Sequence, residues 1–132
     1  MAAVSIASGG TGGGVRRILV ADDERHIVRL VQVILERAGY QVVCAFTAGE
    51  ALERVIDERP DFLILDTSLP DIDGYALTRQ IRSNSETAAL PIQLFLPCAS
   101  QAEIDRARDA GADYWLTKPF SPSELLQIVR NG

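Results

Sequence analysis

The chain has 132 residues, 47% of them hydrophobic, which suits one compact domain with an ordinary core. Its formal net charge of -5, unbroken by any run of Lys and Arg, opposes a phosphate backbone, so this segment is not expected to bind nucleic acid directly. Cys44 and Cys98 form no C-x-x-C pair, which argues against a redox motif or zinc site, and no apolar run approaches the roughly 18 residues of a membrane span.

Met1 to Gly14 carry five of the ten glycines and no charge, and are expected to form a flexible tail before a single domain over 15–132. This stretch lacks the charged start and long apolar run of a secretory signal, so a cytoplasmic protein with no membrane contact is expected. From Val15 onward, short apolar runs alternate with longer segments of helical period.

RILVA (Arg17 to Ala21) reads as a buried strand, followed by a helix from Glu24 to Ala38 with Ile27, Val31, Ile34 and Ala38 on one face and Gly39 as its end. QVVCA (Gln41 to Ala45) is a second strand in which Cys44 simply packs. The next helix, Ala48 to Glu58, turns Leu52, Val55 and Ile56 inward, and Pro60 closes the unit. FLILD (Phe62 to Asp66) is the most apolar strand, as the centre of a sheet buried on both faces should be, yet it ends in a carboxylate. After TSLPDIDG come a helix from Tyr75 to Ser83 with Leu77 and Ile81 one turn apart, and a fourth strand, IQLFL (Ile92 to Leu96). A charged helix from Gln101 to Ala110 has only Ile104 and Ala107 as an apolar stripe and is expected to be the least firmly anchored element. YWLT (Tyr114 to Thr117) is the fifth strand. Ser121 is expected to cap a final short helix that begins at Pro122, with Leu125, Ile128 and Val129 inward, and the sequence as read is expected to hold no output domain.

This order predicts an α/β fold with a doubly wound five-stranded parallel sheet in the order 2-1-3-4-5, whose ligands bind beyond the carboxyl ends of the strands. Asp22 and Asp23 follow the first strand, Asp66 ends the third and Lys118 follows the fifth, so all four project from one edge. Each has a bland reading taken alone: acids after a strand cap helices, a strand-terminal Asp stabilises a turn, and a lone Lys is solvated. Together they define a shared site. Carboxylates crowded at a crevice call for a divalent cation or a fixed ammonium group, and hard oxygen ligands suit Mg²⁺. Such a site stabilises phosphoryl transfer to a carboxylate, with Asp66 as the nucleophile. His26, among charged residues on the first helix, reads as a surface histidine.

The stretches LVADDE, LILDTSLPDIDGY and AGADYWLTKPFSPSEL resemble the three signature stretches of two-component response-regulator receiver domains, the CheY-like family, over Val15 to Gly132. The resemblance implies that Asp66 is the phosphoacceptor, supplied by a histidine kinase or phosphotransfer protein, and that a downstream effector or output domain reads the result. It implies that Asp23 ligates Mg²⁺ directly, that Asp22 reaches it largely through water, and that Ser68 offers its backbone carbonyl. Lys118 then pairs with the phosphoryl group, with Pro119 cis. Enzymatic activity is expected to be limited to self-phosphorylation and slow autodephosphorylation.

The chain departs from this family at the end of the fourth strand, where Ser or Thr usually bonds a phosphoryl oxygen and the next residue donates its N–H. Leu96 has no donor and Pro97 has no N–H. Trp115 replaces the usual Tyr or Phe of the family's hydroxyl–aromatic lever, so switching is expected to be atypical, with Cys98 or Ser100 as the nearby substitutes after a loop rearrangement. The alternative is a pseudo-receiver, a protein-interaction module independent of phosphorylation. An aspartate-nucleophile phosphatase of the haloacid dehalogenase type is disfavoured because Ser68 stands where a second acid is needed. No Gly-rich phosphate loop follows any strand, which disfavours a nucleotide-binding flavodoxin-like module.

Overall fold

The computed structural model describes residues 14–132, so the expected tail lies outside the described residues except for Gly14. The elements alternate strictly: β1 (Arg17–Ala21), α1 (Arg25–Arg37), β2 (Gln41–Ala45), α2 (Ala48–Glu58), β3 (Phe62–Asp66), α3 (Gly74–Ser83), β4 (Ile92–Leu96), α4 (Gln101–Ala110), β5 (Tyr114–Thr117) and α5 (Pro122–Asn131). All strand pairs are parallel, and the five-stranded sheet has the order β2-β1-β3-β4-β5. This is the doubly wound α/β fold that the sequence predicts.

Because side chains alternate across a strand, each strand feeds two cores. Leu19, Leu63, Leu65, Ile92 and Leu94 pack with Ala51 and Val55 of α2, Leu77 and Ile81 of α3, and Ala107 of α4. Ile18, Val20, Phe62, Ile64 and Phe95 pack on the other face with Val28, Val31 and Leu35 of α1 and Leu125 and Val129 of α5. β3 and β4 are buried along their whole length, which is why they read as unbroken apolar runs.

The helix faces differ in detail from the sequence reading. In α1 the stripe against the sheet is Val28, Val31 and Leu35; Ile27 and Ile34 flank it half-buried, and Ala38 is the exposed C-cap. Ala48, Ala51 and Val55 form the inner face of α2, so Ile56, about 100° further round, is 54% exposed. Both helices carry more apolar residues than one stripe accommodates. α5 starts as expected, with a capping box between Ser121 and Glu124 and Pro122 in its first turn. Gly39, at φ +98°, accommodates the left-handed turn that ends α1.

α4 buries only Ala107 and Ala110 completely, with Ile104 half-buried, in keeping with its thin apolar stripe. Polar contacts supplement that packing. The Tyr75 hydroxyl of α3 donates to Glu103 Oε1, and the Arg106 guanidinium lies 4.1 Å from the Tyr75 ring centroid and 3.4 Å from Glu103.

The placement of α1 predicts unequal costs for one truncation at two positions. Leu35 is fully buried and Leu30 is 47% exposed. Leu35→Ala is expected to lower the unfolding free energy by about 2–5 kcal/mol and Leu30→Ala by less than about 1 kcal/mol, read by urea denaturation.

Candidate functional site

Strand register assembles the site. Ala21 pairs with Leu65, so Asp22 and Asp66, the residues that follow them, stand side by side at the carboxyl edge of the sheet. Lys118 emerges from β5, two strands from β3, and reaches back across the end of β4, with Nζ 5.4 Å from the Phe95 ring centroid. Its ammonium lies 2.7 Å from Asp22 Oδ2 and 3.5 Å from Asp66 Oδ1. One carboxylate oxygen from each of Asp22, Asp23 and Asp66 lies within 4.8 Å of the other two. The sequence-predicted acids and the lysine therefore converge, and the Lys118–Pro119 peptide bond is cis, as the resemblance implied.

Burial grades the three acids. Asp22 is fully buried, Asp66 is 6% exposed, and Asp23 faces solvent. Asp22 tolerates this because its oxygens are engaged: Oδ1 accepts the Glu24 N–H at 3.0 Å, and Oδ2 faces the ammonium. Asp66 is less well compensated. Burial, and then repulsion from Asp22, push its carboxyl up to about 6 against the partial relief given by Lys118 and the Ser68 backbone N–H. Burial pulls the Lys118 ammonium toward deprotonation, but contacts with Asp22, Glu24 and Asp66 outweigh it and hold the ammonium above its ordinary range. Two pinned carboxylates and an exposed one at a narrow edge make an all-oxygen donor set of the kind Mg²⁺ takes, and the surplus negative charge favours a cation.

The loop after β3 is tied down at several points. Gly74 N–H donates to Thr67 C=O at 2.9 Å, and a Cβ on Gly74 would come within 2.4 Å of the Asp66 carbonyl oxygen, so only glycine fits there. Thr67 Oγ1 donates to Phe95 C=O at 3.0 Å. Asp71 accepts the Ala48 and Gly49 N–H groups of the first turn of α2, each at 2.8 Å, and Asp73 caps α3. Ser68 lies exposed within this loop.

Leu96 is buried in the core at the end of β4, opposite Thr117 of β5, and Pro97, Cys98 and Ser100 are exposed. The Ser100 hydroxyl is already engaged as the α4 cap, accepting the Glu103 N–H at 3.2 Å. Trp115 is half-buried against the same cluster as Leu96, with the Arg108 guanidinium 5.5 Å from its ring centroid. The His26 side chain is 76% exposed, in keeping with its surface reading.

Sequence reasoning missed two acids at this edge. Glu24 Oε1 lies 2.6 Å from Lys118 Nζ, and Asp71 fixes the β3–α3 loop to α2. The only trace of Glu24 was its place directly after the acidic pair, and Asp71 was one of several acids in a loop that looked like ordinary turn chemistry.

Residues 18–130 match the family described as the response regulator receiver domain, and the chain belongs to it. A relative, the alkaline phosphatase synthesis transcriptional regulatory protein PhoP of Bacillus subtilis (strain 168), is 40% identical over 117 residues, covering 87% of this chain and 47% of its own. The chain spans about half the length of the transcriptional regulators it matches. Among solved structures, the chemotaxis response regulator CheY4 of Vibrio cholerae superposes with a TM-score of 0.84 at 30% identity, covering 89% of this chain and 98% of that one. The receiver domain of a sensor histidine kinase of Pseudomonas aeruginosa PAO1, with a magnesium ion coordinated in its active-site cleft, superposes with a TM-score of 0.81 at 28% identity, covering 90% and 97%. No helix among the described residues is long and apolar enough to cross a membrane.

The strained charge on Asp66 sets a stability prediction. Its folded pKa of about 6 lies above the ordinary 3.8, so the stabilisation from its bound proton is fully present below pH 3.8 and lost as pH rises through about 6. At pH 7, without divalent cations, Asp66→Asn is therefore expected to unfold later than the wild type, by on the order of 1–3 kcal/mol, and the gain is expected to vanish near pH 4. Thermal melts of the two proteins at both pH values check this.

Proposed function

We propose that the chain is a cytoplasmic signalling receiver that accepts a phosphoryl group on Asp66 from a histidine kinase or phosphotransfer protein. The observation that carries this reading is the convergence of the near-buried Asp66 with Asp22, Asp23 and the Lys118 ammonium at one sheet edge. An Asp66 carboxylate oxygen attacks the donor phosphorus, the bond from phosphorus to the donor nitrogen breaks, and an aspartyl phosphate forms. Lys118 moves against the phosphoryl oxygens. Asp23 and Asp66 would hold the cation directly, with the Ser68 backbone carbonyl as a further oxygen donor and Asp22 contributing through water. When bound, Mg²⁺ neutralises charge on the entering phosphoryl group. Catalysis of this kind is positioning and charge compensation, and hydrolysis of the product is slow. The magnesium in the Pseudomonas aeruginosa neighbour supports the metal reading.

The response to phosphorylation is a separate matter. The hydroxyl and N–H that bind the phosphoryl group elsewhere in the family are replaced by Leu96 and Pro97. Each hydrogen bond to a charged group contributes roughly 1.5–3 kcal/mol, a joint deficit of about 3–6 kcal/mol if the two are additive. Taking a two-state equilibrium from 1:99 to 99:1 needs about 5.5 kcal/mol, so the deficit is comparable with the whole drive. The aromatic lever at Trp115 is accordingly impaired. Leu96 and Pro97 are also what favours the second reading, a pseudo-receiver that binds its partner whatever the state of Asp66. The length of the matched relatives supports an effector or output domain as the downstream partner.

Incubation with acetyl phosphate and Mg²⁺ is expected to add one phosphoryl group by mass spectrometry, with none added after chelation or in Asp66→Asn; a label on another residue would overturn the assignment. Beryllofluoride with Mg²⁺ is expected to shift amide resonances around Asp66 and Lys118 and to leave those of α4 nearly unmoved. Large α4 shifts would contradict impaired switching.

A further inference from the structure

Lys118 Nζ makes two short contacts, and neither is to Asp66. Asp22 Oδ2 stands at 2.7 Å and Glu24 Oε1 at 2.6 Å, whereas Asp66 Oδ1 is 3.5 Å away. The ammonium that a phosphoryl group on Asp66 needs is thus held in the resting protein by two other carboxylates.

The two holders differ in how readily they let go. Asp22 is fully buried, its other oxygen is bonded to the Glu24 backbone N–H, and burial keeps bulk solvent from taking the place of the ammonium. Separating that pair would leave a buried charge without a partner. The Glu24 side chain is 48% exposed, and a carboxylate released there is rehydrated at once. Its backbone is held at the start of α1 by the bond to Asp22, while its side chain stays half-exposed. His26 Nε2, 3.8 Å from Glu24 Oε2, is the other group facing it.

We propose that Glu24 is a positioning residue that acts as a releasable latch on Lys118: it parks the ammonium short of Asp66 in the resting state and yields it when a phosphoryl group arrives. The proposal rests on the phosphoacceptor reading of Asp66. The Glu24 side chain contacts Lys118 and His26, and it acts on Asp66 through Lys118. Without the latch, Lys118 is available sooner, so the phosphorylation rate rises.

The test is a double-mutant cycle on the full chain with acetyl phosphate and saturating Mg²⁺. Glu24→Gln is expected to raise the phosphorylation rate about two- to five-fold, the range set by an exposed ion pair, and to leave the rate unchanged when Lys118 is already Gln. Beryllofluoride affinity, read by fluorine NMR in the same four proteins, gives the cycle a second readout should the Lys118→Gln proteins label too slowly, with the same pattern expected. An equal gain in both backgrounds means that Glu24 merely repels the anionic donor and overturns the latch, as does no gain in either. A wild type that takes up neither phosphoryl group nor beryllofluoride overturns the receiver reading and the latch together. Normal labelling with an additive cycle overturns the latch alone.

Discussion

The structure depends on one electrostatic compromise, the crowding of Asp22 and Asp66 at the end of two adjacent strands with a single ammonium to compensate them. Register makes the crowding unavoidable, since Ala21 and Leu65 are paired and each is followed by an acid. Water cannot screen either side chain well, because Asp22 is fully buried and Asp66 nearly so. Lys118 resolves only half of the problem: it satisfies Asp22 at 2.7 Å and leaves Asp66 with a raised pKa. An edge in this condition favours a cation, and Asp66 is poised to change its charge state.

The rest of the molecule holds that compromise in place. The doubly wound sheet supplies a rigid edge, because β3 and β4 are buried throughout. Asp71 and Gly74 then fix the loop beyond Asp66, one by bonding the first turn of α2 and the other by letting α3 approach the end of β3. Beside it, Leu96 fills the core at the end of β4, and α4 is tied to α3 through the Tyr75–Glu103–Arg106 group. On the proposed reading, both features uncouple phosphoryl acceptance at Asp66 from movement on the far side of β4.

The strands were legible because a sheet buried on both faces leaves compact apolar runs bounded by glycine, proline and charge, and their bounds match the runs RILVA, QVVCA, FLILD, IQLFL and YWLT. The clustered acids and Lys118 were legible for a related reason: a strand end fixes where the next side chain goes. Helix faces were less so. α1 offers Ile27, Val28, Val31, Ile34 and Leu35, and only packing decides that Val28 and Leu35 occupy the centre. Glu24 and Asp71 were invisible because their partners lie 94 and 23 residues away, set by loop geometry that no local pattern encodes.

The most direct test is a crystal structure grown at neutral pH in millimolar Mg²⁺. The account predicts one ion at the strand edge, bound to carboxylate oxygens of Asp23 and Asp66 at about 2.0–2.1 Å, with water between it and Asp22 and with Lys118 on the opposite side of Asp66. An empty edge at full Mg²⁺ occupancy elsewhere, or an ion held by other residues, would contradict it.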